Sequence, residues 1–282
     1  MQNKTIAVFT PTYNRAYKLP DLYNALKRQT SKDFVWIVVD DGSTDNTRTL
    51  IAGYTEEAEF EIRYVFQKNG GKQRAQNTAL EHCHEEMLFT VDSDDYPVDD
   101  AIEKIVKEWD KWREDRSIAG LLTLFGKTPT DPLISHFPPN LKRTKTYDLY
   151  ANNQFKGDAQ MIYRADVLRM YPFEVAEGEK FIAEPYAMLQ IDEKYDLAVF
   201  DEIIAIHEYL PDGYTNNARK LTRENPIGYM KVKQLYMDKA NTSMEKIKSA
   251  ALYLVGAHYA KQSKANKRIS QLTTRLSPCL LS

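Results

Sequence analysis

Along the first hundred residues, apolar runs of strand length alternate with stretches whose apolar positions recur every three or four residues. The run from Thr5 to Thr10, ended by Pro11, predicts a strand, and Leu19, Leu22, Tyr23 and Leu26 predict a helix after it. A second run, Phe34 to Val39, precedes a helix over Thr47 to Tyr54, which Ser43 or Thr44 can cap. A third, Ile62 to Phe66, leads to a helix through Ala75, Ala79 and Leu80, and a fourth, Met87 to Val91, ends in an acidic loop. Strands alternating with helices predict an α/β fold with a mostly parallel, doubly wound sheet flanked by helices. In such sheets ligands bind beyond the carboxyl ends of the strands.

Each of the four strands is followed by a loop rich in chemistry, so all four loops are expected on one edge. They read Thr10-Pro11-Thr12-Tyr13-Asn14-Arg15, Asp40-Asp41-Gly42-Ser43-Thr44-Asp45, Asn69-Gly70-Gly71-Lys72-Gln73-Arg74 and Asp92-Ser93-Asp94-Asp95. Carboxylates crowded at a strand end repel one another unless a cation offsets the cost, and a hard divalent ion such as Mg²⁺ or Mn²⁺ suits the acidic loop. An Asp-rich turn capping the next helix, with Asp99 and Asp100 continuing the acidity, is the competing reading. Tyr13 could stack a base and Asp41 accept a hydrogen bond from a base N–H. Gly70 and Gly71 could let backbone approach a phosphate, Lys72 or Arg74 could neutralise it, and Asp92 and Asp94 could reach a ribose and a metal. Taken singly, each residue reads equally as a cap, a tight turn or surface packing.

The second half is less periodic. Gln160 to Tyr163 and Ala198 to Ile206 predict further strands, and the Pro-rich stretch from Gly126 to Lys145 reads as a lid over donor or acceptor, or as a plain surface excursion. After Arg219 the pattern is helical: Leu235, Tyr236 and Lys239 precede a break at Asn241, and Ser243 can cap a helix through Ile247, Ala251, Leu254, Val255, His258 and Tyr259.

Charge divides the chain at the same place. Thirteen Lys and Arg against three acids from Arg219 onward give +10, which leaves −12 for residues 1–218 within an overall −2. The expected organisation is a domain over 1–218, with a nucleotide-binding half at 1–100 and an acceptor half at 101–218, and a basic helical extension over 219–282. The acidic body suits metal binding. The basic extension suits an anionic membrane, with no nucleic-acid motif to favour the other polyanion. Cys83 and Cys279 alone make neither a disulfide framework nor a thiolate cluster. Without a signal-peptide pattern or a spanning stretch, the expected location is the cytoplasm, with peripheral contact to the inner membrane face.

The four loop motifs, in this order, resemble the successive signatures of family 2 glycosyltransferases with the GT-A fold. The resemblance covers the first hundred residues densely and the next hundred loosely. It implies inverting transfer of a sugar from a nucleotide donor, commonly a UDP-sugar, with Mn²⁺ or Mg²⁺ at the diphosphate and a saccharide or lipid-linked glycan as acceptor. By position it implies Pro11, Tyr13 and Asp41 at the base, Asp92 at the ribose or metal, and Asp94 at the metal. It also implies a histidine contact to metal or diphosphate, where His207 stands in a comparable place.

In many relatives the catalytic base is the Asp of a Glu-Asp pair opening a helix, but Lys180 occupies that position here. Glu184 is then the expected base and Glu179 the second choice, the two facing nearly the same side of a helix start. Two rival readings stand beside the enzyme: a sugar nucleotidyltransferase, and a non-catalytic nucleotide-sugar-binding scaffold of a membrane glycan-assembly complex.

Overall fold

The computed structural model describes residues 4–151, 155, 157–207 and 218–262. These form two compact units, one of residues 4–173 with 190–207 and one of residues 174–189 with 218–262. The boundary at 218 inferred from charge therefore assigns residues 174–189 differently from the fold.

The first unit is built on a mixed, mostly parallel sheet. Its strands are β1 (Ile6–Thr12), β2 (Phe34–Asp40), β3 (Glu61–Phe66), β4 (Met87–Thr90), β5 (Tyr96–Pro97), β6 (Ile118–Thr128), β7 (Asp131–Pro132), β8 (Arg143–Thr144), β9 (Ala159–Arg164) and β10 (Asp196–Ile206). The order is β3-β2-β1-β4-β9-β6-β10-β5, with β7 beside β6 and β8 beside β10. β3, β2, β1 and β4 run parallel, whereas β9 is antiparallel to both β4 and β6. The carboxyl ends of the first four strands consequently share one edge.

Helices α1 (Leu19–Arg28), α2 (Thr47–Glu57), α3 (Lys72–His82) and α4 (Ala101–Trp109) follow β1, β2, β3 and β5, and the short α5 (Thr146–Ala151) and α6 (Ala165–Met170) follow β8 and β9. Cover on both faces explains why β2 is buried at every position and β1 at nearly every one, a continuous apolar run rather than an alternating one. Phe9, Phe34, Trp36, Phe89 and Trp109 are fully buried in this core. Each such side chain contributes roughly 1.5–3 kcal/mol relative to exposure. Trp36 also satisfies its indole N–H on Thr10 Oγ1 at 3.0 Å.

Several elements differ from expectation. Neither Ser43 nor Thr44 caps α2: Asp45 Oδ1 accepts from the Thr47 amide (3.1 Å) and hydroxyl (2.6 Å). β6, eleven residues long, is a central strand that the spacing did not single out. The Pro-rich stretch is anchored rather than loose. Phe137 is buried with its ring 4.7 Å from that of Phe155, and Asp201 accepts from the Phe137 amide at 2.9 Å.

The second unit contains α8 (Ala218–Glu224), α9 (Pro226–Lys239) and α10 (Ser243–Tyr259). Thr242, not Ser243, caps α10, in a reciprocal box with Glu245. Met230 and Met237 of α9 pack on Tyr253 and Ala257 of α10. The short helix α7 (Pro185–Ile191) begins at a proline, with Glu184 as the residue before it.

Candidate functional site

The four loops at the carboxyl edge are tied together by their own side chains. Asn14, with φ of 53°, donates its amide to Ser43 Oγ (2.8 Å) and accepts the Thr44 amide on Oδ1 (2.7 Å). Asp45 Oδ2 accepts from the Ala16 amide at 3.1 Å, so the loops after β1 and β2 are joined at two points. Burial alone would raise the Asp45 carboxyl, but hydrogen bonds from the Thr47 hydroxyl and the Ala16 and Thr47 amides outweigh it and hold it below 3.8. Gly42 has φ of +85°, and a Cβ there would stand 2.9 Å from the Asn69 nitrogen, so the loop after β3 rests directly on that after β2.

Asp41 organises that third loop. Its buried carboxylate accepts the Gly70 amide on Oδ1 (2.7 Å), the Gly71 amide on Oδ2 (2.7 Å) and Gln67 Nε2 (2.6 Å). The role of reading a base, expected of Asp41, meets a carboxylate already engaged three times. The glycine N–H groups expected to face a phosphate are the same groups that Asp41 holds. Arg74 likewise turns onto its own loop, donating to the Gly70 carbonyl at 2.9 Å.

The acidic loop is joined to the other loops by two ion pairs. Lys72, the first residue of α3, reaches Asp92 Oδ2 at 2.7 Å, and Arg15 Nη1 reaches Asp94 Oδ2 at 2.8 Å. Asp95, almost wholly buried, shares a hydrogen bond with His207 Nδ1 at 2.7 Å, and the ring of Phe125 lies 5.2 Å from the imidazole. Burial pushes the Asp95 carboxyl up, and the Asp95 hydrogen bond raises His207 above an ordinary imidazole. Pro11 pairs with Val39 near the end of β1, and Tyr13, two positions on, is 49% exposed.

Asp92, Asp94 and His207, the expected metal ligands, each have a separate partner, and among the described residues no three His, Cys, Asp or Glu side chains gather as a metal cage. The donor chemistry of the two aspartates nevertheless fits a hard cation shared with phosphate oxygens. Asp92 Oδ1 is buried with no hydrogen-bond partner, and so are Thr12 Oγ1 and Gln73 Oε1. These three atoms stand at the end of β1, in the first turn of α3 and in the loop after β4. Buried orphans are costly in a finished core and ordinary where a ligand completes them.

Sequence reasoning missed Arg15 and Asp95. Both stand inside quoted motifs, but their partners are 79 and 112 positions away. Glu179 and Glu184 belong to the second unit and do not share a helix face. The buried Glu179 carboxylate accepts the Ile227 (2.6 Å) and Gly228 (2.8 Å) amides at the start of α9. Asn225 reciprocates, accepting from the Lys180 (2.8 Å) and Phe181 (3.0 Å) amides. Glu184 is exposed and caps α7 through its carbonyl, 3.1 Å from the Ala187 amide.

A polar edge at the ends of four parallel strands, held by internal ion pairs, belongs to a doubly wound α/β protein, the class of sheet in which ligands bind at the carboxyl edge. The family model for glycosyl transferase family 2 matches residues 7–177, more than half of the 282-residue chain, and the chain belongs to that family.

The putative teichuronic acid biosynthesis glycosyltransferase TuaG of Bacillus subtilis (strain 168) is 25% identical over 241 residues, covering 83% of this chain and 91% of its own length. The poly(ribitol-phosphate) beta-N-acetylglucosaminyltransferase TarS of Staphylococcus aureus (strain MW2) is 25% identical over 188 residues, covering 64% of this chain. That match takes in only 32% of TarS, so this chain spans about a third of the length of that relative. Among solved structures, TarS 1-349 from S. aureus in complex with UDP-GlcNAc superposes with a TM-score of 0.61 at 18% identity, covering 93% of this chain and 73% of that one. The mannosyltransferase PcManGT from Pyrobaculum calidifontis, with GDP-Man and Mn²⁺, gives 0.58 at 17% identity, covering 97% and 81%. At these identities the superpositions show the shared GT-A fold.

Proposed function

We propose that this protein transfers a sugar, with inversion, from a nucleotide-sugar, most simply a UDP-sugar, to a saccharide or lipid-linked glycan. The observation that supports the reading is the edge itself: four loops tied to one another by hydrogen bonds and ion pairs at the carboxyl ends of parallel strands, where ligands bind in such sheets, with Asp92 Oδ1 buried and unpartnered in the acidic loop. Family membership supports transfer, and the UDP-GlcNAc and GDP-Man named with the two superposed structures support the donor class.

On this reading Pro11 and Tyr13 lie against the base, and Asp41 keeps the glycine loop in place for it. Arg15 and Lys72 balance the diphosphate, with Arg74 bracing the loop that carries Lys72. Asp92 and Asp94 would hold Mn²⁺ or Mg²⁺, and His207, oriented by its hydrogen bond to Asp95, would be a further contact to metal or diphosphate. A metal so held offsets negative charge on the departing diphosphate.

Inversion requires one carboxylate to take the proton of the acceptor hydroxyl as that oxygen attacks the anomeric carbon. Glu184 is the proposed base, because the Glu179 carboxylate is committed to two backbone amides. The test is thermal stabilisation by a panel of nucleotide-sugars with and without Mn²⁺, followed by slow donor hydrolysis in wild type and Asp94→Ala. Selective, metal-dependent stabilisation and hydrolysis lost in the variant are expected. Equal stabilisation by every nucleotide, or no turnover with any donor and acceptor, would replace this reading with a non-catalytic one.

A further inference from the structure

Helix α10 is apolar on two opposite faces. One face, through Tyr253, Gly256 and Ala257, is buried against α9 within the second unit. On the other, Met244 is 73% exposed, Ile247 62%, Leu254 37% and Val255 43%, with Ala251 exposed between them. At 100° per residue these five fall on one stripe, about 180° from the buried face. The outer face of a surface helix is ordinarily polar, and an apolar stripe there marks a face that something covers.

The helix is complete at both ends. The Thr242–Glu245 box closes its start, and at its end the Gln262 amide returns to the Ala257 carbonyl (3.0 Å) with Lys261 at φ of 54°. Its exposed stripe is therefore not an unravelled end.

Charge distinguishes the possible occupants. Exposed Lys248 and Lys261 flank the stripe, while Glu245, the one acid of α10, is engaged by the Asn241 and Thr242 amides. Residues 246–262 hold three Lys and no Asp or Glu. In a self-complementary pairing of two copies this excess would face itself. Against an anionic bilayer each cation is attracted while the apolar stripe enters the headgroup boundary.

We infer that the outer face of α10 is a docking surface for an anionic lipid bilayer. The inference is independent of the transferase reading and adds a partner to it.

Flotation of the full chain with vesicles of phosphatidylcholine, alone or mixed with phosphatidylglycerol, tests it. The chain should float with the mixed vesicles, leave them as salt is raised, and stay behind with the neutral ones. The double variant Ile247→Glu/Leu254→Glu should bind at least tenfold more weakly with unchanged helix content, since both positions are exposed, and Lys248→Glu should weaken binding further. Equal flotation of the double variant, or equal binding to neutral vesicles, overturns the inference. So does a dimer that light scattering detects in wild type and not in the double variant, which would make a second copy the occupant. Absence of vesicle binding, with a lowered melting temperature in the double variant, overturns it in favour of the chain's own residues 263–282.

Discussion

Replacing Asp41 with alanine separates what the structure says of this residue from what the sequence suggests. The buried carboxylate receives two backbone amides, Gly70 and Gly71, each at 2.7 Å. Hydrogen bonds to a charged group contribute about 1.5–3 kcal/mol each, and a buried donor left without its acceptor incurs a cost of similar size. Gly70 is buried and Gly71 only partly so. Water can therefore replace the second bond, and the loss should come to about 3–4 kcal/mol. Asp41→Asn retains one carbonyl acceptor and should lose roughly half of that.

All three tryptophans, at 36, 109 and 112, lie in the first unit, so their fluorescence during urea unfolding reports on it alone. With a slope of roughly 3 kcal/mol per molar urea, Asp41→Ala should unfold about 1 M earlier than wild type. An unchanged midpoint combined with weakened nucleotide binding would refute the structural argument and return Asp41 to direct contact with the base.

Glu179→Ala should destabilise the second unit by about 1–2 kcal/mol through loss of the α9 cap, whereas Glu184→Gln should fold as wild type and lose at least a hundredfold in turnover; circular dichroism melts and initial rates together check both. On the proposed reading, Arg15→Ala removes a cation that Mn²⁺ would displace from Asp94. Calorimetric Mn²⁺ affinity without nucleotide should rise roughly tenfold, and a fall would remove Asp94 from the ligand set. Asp45 has a native pKa lowered below 3.8, so its contribution is full above that value and is lost as pH falls through the lower native one. Acid unfolding of Asp45→Asn should therefore lose the part of its pH dependence below about pH 4, while near-neutral stability drops by a pH-independent amount.

The strands that carry the site were legible because buried parallel strands are written as continuous apolar runs, and the motif loops fall directly after them. Strand ends agree with the structure to within one or two residues. What could not be read depended on distance in the chain. Arg15 with Asp94, and Asp95 with His207, are pairings that only the closed sheet brings about. The Glu179–Glu184 helix was misplaced although Pro185 marks the true start, since proline favours the first helical turn. The Pro-rich stretch looked detachable because nothing local announces that Phe137 finds Phe155. The pattern did not separate the two apolar faces of α10, since both recur at helical spacing.

The ion pairs at the acidic loop have a further consequence. Arg15 on Asp94 and Lys72 on Asp92 mean that the edge brings its own counter-ions, already seated. A metal–diphosphate pair arriving on the proposed reading meets no naked field. It trades partners, the cation taking the carboxylates as the phosphates take the guanidinium and ammonium. Binding of that kind conserves the number of charge contacts, so affinity should depend on ionic strength far less than a bare acidic loop or a bare basic one would suggest.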